Sequence, residues 1–183
     1  MKKIISLLKF TAMLLVLLVV LYPSLIWGIA QFSDNNGEGS LIKQNGKIVG
    51  YREIGQKFDK PSYFWGRPSA VDYNAAGSAG SNKGPNNAEY LKTVEARIVG
   101  FLKAHPYLQK SNIPAEMVTA SGSGLDPNIS PEGALIQVKR VARERKISEV
   151  EVNRLVKQNI ETTLAGPPVI NVLKLNVALN NIK

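Results

Sequence analysis

His105 is the only histidine in this chain, and cysteine is absent. Without thiolates there is no disulfide framework, no thiol nucleophile and no cysteine-ligated metal. A zinc site would have to be assembled from carboxylates, and the 14 acidic residues are scattered rather than paired. A Ser-His-Asp set could run only through His105. The serine-rich stretch Ala120-Ser121-Gly122-Ser123-Gly124 is not the G-x-S-x-G turn that presents a hydrolase nucleophile. Nor is it a phosphate loop, because Leu125-Asp126 follow its second glycine where a lysine is needed. A tight turn packing close to a neighbour is the simpler reading, since Gly and Ser permit close backbone approach. His105, just before Pro106, suits a helix end. The inventory points to a non-catalytic module with no catalytic residues, no metal and no directly bound cofactor.

Around this inventory stands one dominant element. Phe10 to Ser33 runs 24 residues without a charge, between Lys9 and Asp34. About 20 helical residues cross a bilayer core, and backbone groups in lipid must be satisfied within the segment, so a transmembrane helix is expected. Lys2, Lys3 and Lys9 precede it and Asp34 and Glu38 follow, which keeps the N-terminus cytoplasmic. A cleaved leader ending at Gly28-Ile29-Ala30 is the alternative, but leader cores run about 7–15 apolar residues and this one is longer. Pro23 is expected to disturb the helix, and Tyr22 and Trp27 suit its outer end. The expected organisation is a cytoplasmic tail (1–9), a transmembrane helix (10–33) and a soluble extracytoplasmic domain (34–183), in a single-pass membrane protein.

The formal charge is +9. With the three N-terminal lysines set aside, 20 basic face 14 acidic residues, leaving +6. An extracytoplasmic domain rarely meets nucleic acid, so no nucleic-acid partner is expected; anionic lipid or a solvated surface accounts for the balance more simply.

Asn45-Gly46 between Leu41–Gln44 and Lys47–Tyr51 predicts a β-hairpin. Tyr63-Phe64-Trp65 puts three adjacent rings together, and at least one must face away from a single core. Residues 70–88 are rich in Gly, Asn, Ser and Ala and predict a long loop. Asn86 or Asn87 caps a helix to about Lys103, with Leu91, Val94, Ile98 and Leu102 as its apolar stripe. Ser130 and Pro131 open a second helix, with Leu135, Val138 and Val141/Ala142 inward and Lys139, Arg140, Arg143, Arg145 and Lys146 outward. Ser148 with Glu151 reads as a capping box opening a third helix, carrying Val152, Leu155, Val156 and Ile160 and stopped by Gly166-Pro167-Pro168. Alternation of Leu173, Leu175, Val177 and Leu179 predicts a closing strand. The expected fold is a transmembrane helix plus one mixed α/β (α+β) domain with a small sheet and about three helices.

Several stretches are more specific. Tyr63-Phe64-Trp65-Gly66-Arg67-Pro68-Ser69, Tyr73-Asn74, Gly80-Ser81-Asn82, Gly84-Pro85, Val118 through Pro127, Ile129-Ser130-Pro131 and Asn171-Val172-Leu173 with Leu175-Asn176 resemble one family. It is the C subunit of the Kdp potassium-transporting P-type ATPase complex, and the resemblance covers nearly the whole chain. It implies a bacterial inner-membrane accessory subunit, needed for assembly of an ATP-driven potassium uptake pump. With the orientation that the lysines set, the N-terminus is expected to be cytoplasmic and the C-terminal domain periplasmic or extracellular. The implied partners are a channel-like potassium-translocating subunit and an ATP-hydrolysing P-type subunit, with ATP and potassium acting at the level of the complex. The family description of a catalytic chaperone that raises ATP affinity is the alternative role. That role has been tied to a glutamine after the glycine ending the third helix. Here Pro167 follows Gly166 and offers neither a side-chain donor nor an N–H. Asn128 likewise stands where the family usually has a histidine. The expected contact residues are Tyr63, Phe64, Trp65, Gly66, Arg67, Pro68, Ser81, Asn82, Ser121, Gly122, Ser123, Gly124 and Asp126. The Gly166 region is the sole, weak candidate for nucleotide.

Overall fold

The computed structural model describes residues 2–162 and 166–182. They form two compact units, residues 1–41 and 42–183. In the first, one helix runs Lys2–Ala30, long and apolar enough to cross a membrane. It begins before Phe10 and ends before Ser33. Its parts are α1 (Lys2–Leu15), a π-helical stretch (Val16–Leu21) and α2 (Tyr22–Ala30). The widened turns lie just before Pro23, whose ring would clash with the carbonyl of Val19 in a regular helix. The disturbance expected at the proline therefore takes the form of a π-helical stretch.

The predicted hairpin is present, β1 (Leu41–Gln44) starting at the last residue of the first unit and β2 (Lys47–Tyr51) lying in the second. Asn45 (φ 51°) and Gly46 (φ 77°) both take left-handed angles, as the two-residue turn demands. After a long irregular segment, α3 (Ala88–Ala104) starts at Asn87, whose side chain accepts from the Tyr90 amide. Only Phe101 of α3 is buried; Leu91 is exposed and Val94, Ile98 and Leu102 are half-buried, so the expected stripe is not a core face.

The second predicted helix is divided. Ser130 caps α4 (Pro131–Leu135) through the Gly133 amide, and α5 follows over Val138–Arg145. Val138, Val141 and Ala142 are buried as expected, whereas Leu135 is exposed and Arg140 is completely enclosed. α5 ends in a Schellman pair, Ile147 N to Ala142 O (3.1 Å) and Lys146 N to Arg143 O (3.2 Å). Lys146 occupies the left-handed position (φ 57°) that glycine fills without strain. Lys146→Gly should therefore stabilise the chain by about 1 kcal/mol, read as a rise of a few degrees in melting temperature.

Ser148 caps α6 (Glu149–Gln158) by accepting from Val150 N, with Val152 and Val156 buried. The helix stops at Asn159, well before Gly166, because Glu161 then pairs antiparallel with Val169. A second two-stranded ladder, β3 (Asn128–Ile129) with β4 (Ile170–Asn171), is also antiparallel.

The closing segment is helix α7 (Val172–Leu179), not a strand. Asn171 caps it through Lys174 N, and Val172, Leu173, Leu175, Asn176 and Leu179 are buried. Those spacings of one, three and four are helical; the alternating reading counted Asn176 as outward and so lost the pattern. The core gathers Phe64, Phe101, Ile129, Val141, Val152, Val156, Ile170, Leu175 and Leu179. The result is a mixture of helices and small antiparallel ladders, with more helix and less sheet than periodicity suggested.

Candidate functional site

Residues 61–69, a turn over 61–63 running into irregular chain over 64–69, form a strap with no neighbouring strand, so its backbone groups need other partners. Side chains from α5, α7 and the turn between α4 and α5 supply them. Asn176 accepts from Phe64 N (2.9 Å) and donates to Phe64 O (3.0 Å). Gln137, between α4 and α5, does the same for Trp65, at 2.8 and 3.1 Å. Each primary amide imitates one residue of a missing strand. Arg140 donates to Pro61 O and Tyr63 O, and Arg145 to Ser62 O (2.7 Å).

The rings then separate. Phe64 is fully buried. Tyr63 packs against Phe58 with the Arg145 guanidinium over its ring. Trp65 meets Phe101 and His105 edge-on, and the Arg140 guanidinium lies 4.1 Å from its ring centre.

The strap's C-terminal half meets the Ser121–Asp126 turn. Arg67 Nη1 lies 2.9 Å from Asp126 Oδ2, and Ser121 N donates to Pro68 O (3.0 Å). Asp126 Oδ1 also accepts from Asn128 N. Ser69 Oγ donates to Gly124 O (2.7 Å) and accepts from Val71 N and Tyr73 N. Ser78 Oγ bonds Ser123 O, and Ser123 Oγ in turn accepts from Leu125 N.

Three glycines allow the close approach. A Cβ at Gly124 (φ 70°) would sit 2.7 Å from Ala79 O, one at Gly80 2.8 Å from Gly122 O, and one at Gly66 2.8 Å from the Tyr73 hydroxyl. That hydroxyl donates to Arg67 O, and burial, aided by the Asp126 charge, pushes it up to about 12.

The two sequence motifs are thus one clasp. It brings together Tyr63, Phe64, Trp65, Gly66, Arg67, Pro68, Ser121, Gly122, Ser123, Gly124 and Asp126. Ser81 and the exposed Asn82 stand apart, with no side-chain hydrogen bond to the clasp among the described residues. Gly166 is exposed, and residues 163–165 before it lie outside the described residues. Much of the clasp points inward: Phe64, Ser121 and Gly124 are buried. Ser69→Ala should cost about 2 kcal/mol, because one hydroxyl serves two amides and a carbonyl; urea denaturation of the full chain reads it.

Ser69, Gln137, Arg140 and Asn176 were not among the expected site residues. The signal was available for two of them: Gln137 and Asn176 are polar side chains at core-facing helical positions, where a buried amide needs partners.

Beside the clasp lies a cleft of about 470 Å³, walled by Phe58, Trp65, Phe101 and Met117. Lys57 and Asp72 form an exposed ion pair (2.7 Å) at it, which holds Lys57 above its ordinary value. Among the described residues no cluster of three or more His, Asp or Glu is placed to hold a metal ion.

A helix long and apolar enough to cross a membrane in one unit, and in the other a mixed helix-and-ladder domain built around an internally clasped strap, define the class of the chain: one candidate membrane span joined to a small α+β domain. The chain matches the family described as K+-transporting ATPase, c chain, over residues 4–181. It is 63% identical to a potassium-transporting ATPase KdpC subunit of Flavobacterium johnsoniae over the full length of both chains. To the KdpC subunit of Phocaeicola vulgatus it is 49% identical over the full length of both. To that of Caldanaerobacter subterraneus it is also 49% identical, covering 93% of this chain and 91% of the relative. The chain belongs to the KdpC family.

Proposed function

We propose that this chain is the non-catalytic accessory subunit of an ATP-driven potassium uptake complex, required for its assembly and activity. The observation that carries the reading is the family match over residues 4–181, which takes in the apolar helix as well as the domain. The helix then serves as a packing element for partner helices, with Pro23, Ser24 and Gly28 as points of close approach. The lysines before it favour a cytoplasmic N-terminus and a domain, 34–183, on the outer side of the inner membrane. There the domain sits on the channel-like potassium-translocating subunit, and the ATP-hydrolysing subunit is engaged through the membrane.

Removing residues 34–183 should abolish potassium-stimulated ATPase activity of the purified complex. Unchanged activity would defeat this reading. The rival role, raising the ATP affinity of the hydrolysing subunit, needs a domain reachable from the cytoplasm. Ser78 is exposed and the natural chain has no cysteine, so Ser78→Cys gives a single labelling site. An impermeant maleimide should label it in intact cells after outer-membrane permeabilisation. Labelling only after the inner membrane is opened would transfer the assignment to the nucleotide role.

A further inference from the structure

Gly100 lies well inside the 17-residue helix α3, where glycine is less favourable than alanine. Packing does not require it: an ideal Cβ there meets no heavy atom within 4 Å. Gly66, also on the cleft, differs, since its Cβ would collide with Tyr73. What Gly100 does is leave the cleft open on its α3 side. The walls are the rings of Phe58, Trp65 and Phe101 and the Met117 side chain.

A small-molecule site couples such walls to a few convergent polar groups. Here the charged residues do not converge. Lys57 is paired to Asp72 and Arg67 to Asp126, and Asp59 is exposed. Arg97 is the cleft cation with no carboxylate partner among the described residues; its Nη1 bonds only the carbonyl of Val118 (3.1 Å). The lining carries three cations against two carboxylates, Asp59 included, and an apolar pocket with that positive balance fits an inserted apolar side chain with a carboxylate next to it.

Charge points to the source. Residues 10–183 carry 20 basic against 14 acidic side chains, and such a surface is drawn to an acidic one. Proteins that conduct cations gather them with carboxylates at their mouths. We infer that the cleft between Trp65 and Gly100 receives an apolar side chain flanked by a carboxylate from a loop of the potassium-conducting partner subunit. This rests on the accessory-subunit reading and adds the contact through which it acts.

The test uses the full chain co-expressed with its partner subunits. Gly100→Trp fills the cleft and should lower partner retention on purification at least tenfold, while the melting temperature of the chain stays within a few degrees of wild type. Gly100→Ala, whose methyl enters open space, should retain the partners as wild type does and melt slightly higher. In parallel, p-benzoylphenylalanine in place of exposed Lys57 should crosslink to the potassium-conducting subunit on illumination. Wild-type retention by a well-folded Gly100→Trp chain would overturn the inference, and the accessory reading would stand as long as removal of 34–183 still abolishes activity. Should Gly100→Trp not fold, the crosslink decides: adducts only with lipid or with the other partner, or no adduct, overturn it.

Discussion

Arg140→Met should destabilise the 42–183 unit by about 4 kcal/mol and free the Tyr63–Pro68 strap. Arg140 is fully buried, yet among the described residues no carboxylate forms an ion pair with it. Burial draws its guanidinium down to about 10, so it remains charged at neutral pH. Its Nε donates to His105 Nε2 (2.8 Å), Nη1 to Pro61 O and Tyr63 O, and Nη2 to Gln137 Oε1 (2.7 Å).

Methionine matches much of the volume but donates nothing. His105 Nε2, Tyr63 O and Pro61 O would then lose this donor, while Gln137 Oε1 keeps Trp65 N, at roughly 1–3 kcal/mol for each acceptor left unpaired before relaxation. Relief from burying a cation offsets part of that, which brings the net effect to about 4 kcal/mol. Arg140→Lys should be nearly as harmful, because a single ammonium cannot reproduce the planar fork. Urea midpoints of the full chain in detergent measure both. A midpoint for Arg140→Met within error of wild type would show that the strap is held without it.

The same residue shows what the sequence conceals. On the α5 pattern Arg140 falls among Lys139, Arg143 and Lys146, and a basic run on an amphipathic helix reads as a solvated face. It is buried because the strap passing over α5 lacks a strand partner and its carbonyls need donors. That demand arises some 75 residues away in the chain and leaves no trace in local periodicity. Asn176 and Gln137 answer the same demand from the strap, and discounting Asn176 as outward turns α7 into a strand.

Signals that act over a few residues were legible. The Asn45-Gly46 turn and the caps Asn87, Ser130 and Ser148 all lie where the sequence placed them. The clasp was half legible. Its two motifs stood out as specific stretches, but that Arg67 faces Asp126 and Ser69 faces Gly124 is a property of the fold.

His105 should make this domain acid-sensitive between about pH 6.5 and 4. Arginine cannot accept a hydrogen bond, so His105 Nε2 must be the acceptor for Arg140, and Nδ1–H donates to Phe101 O (2.8 Å). The neutral tautomer is therefore fixed by its neighbours. The ring is surrounded by Phe101 from α3, Trp65 from the strap and Tyr107 beyond the helix end. The charges acting on it are those of Arg140 and Arg143 from α5, both positive. Burial first, then those cations, lower His105 from its ordinary 6.5 to about 4, against the pull of the Phe101 carbonyl.

The unfolded chain takes up its proton as pH falls through about 6.5, while the folded chain resists until about 4. The stabilisation is thus fully present above 6.5, declines as pH drops and is spent near 4, amounting to at most about 3 kcal/mol. Glu161, held below the ordinary carboxylate range by Lys174 and Arg52, loses its contribution only further down, once pH falls below about 4.5 and through its folded value. The windows barely overlap, so the two can be told apart. His105→Gln keeps an acceptor for Arg140 but cannot titrate. Its urea midpoint should lie below wild type at pH 7.5 and converge on it by pH 4. Parallel pH curves for the two proteins would mean that His105 is not the neutral acceptor holding Arg140.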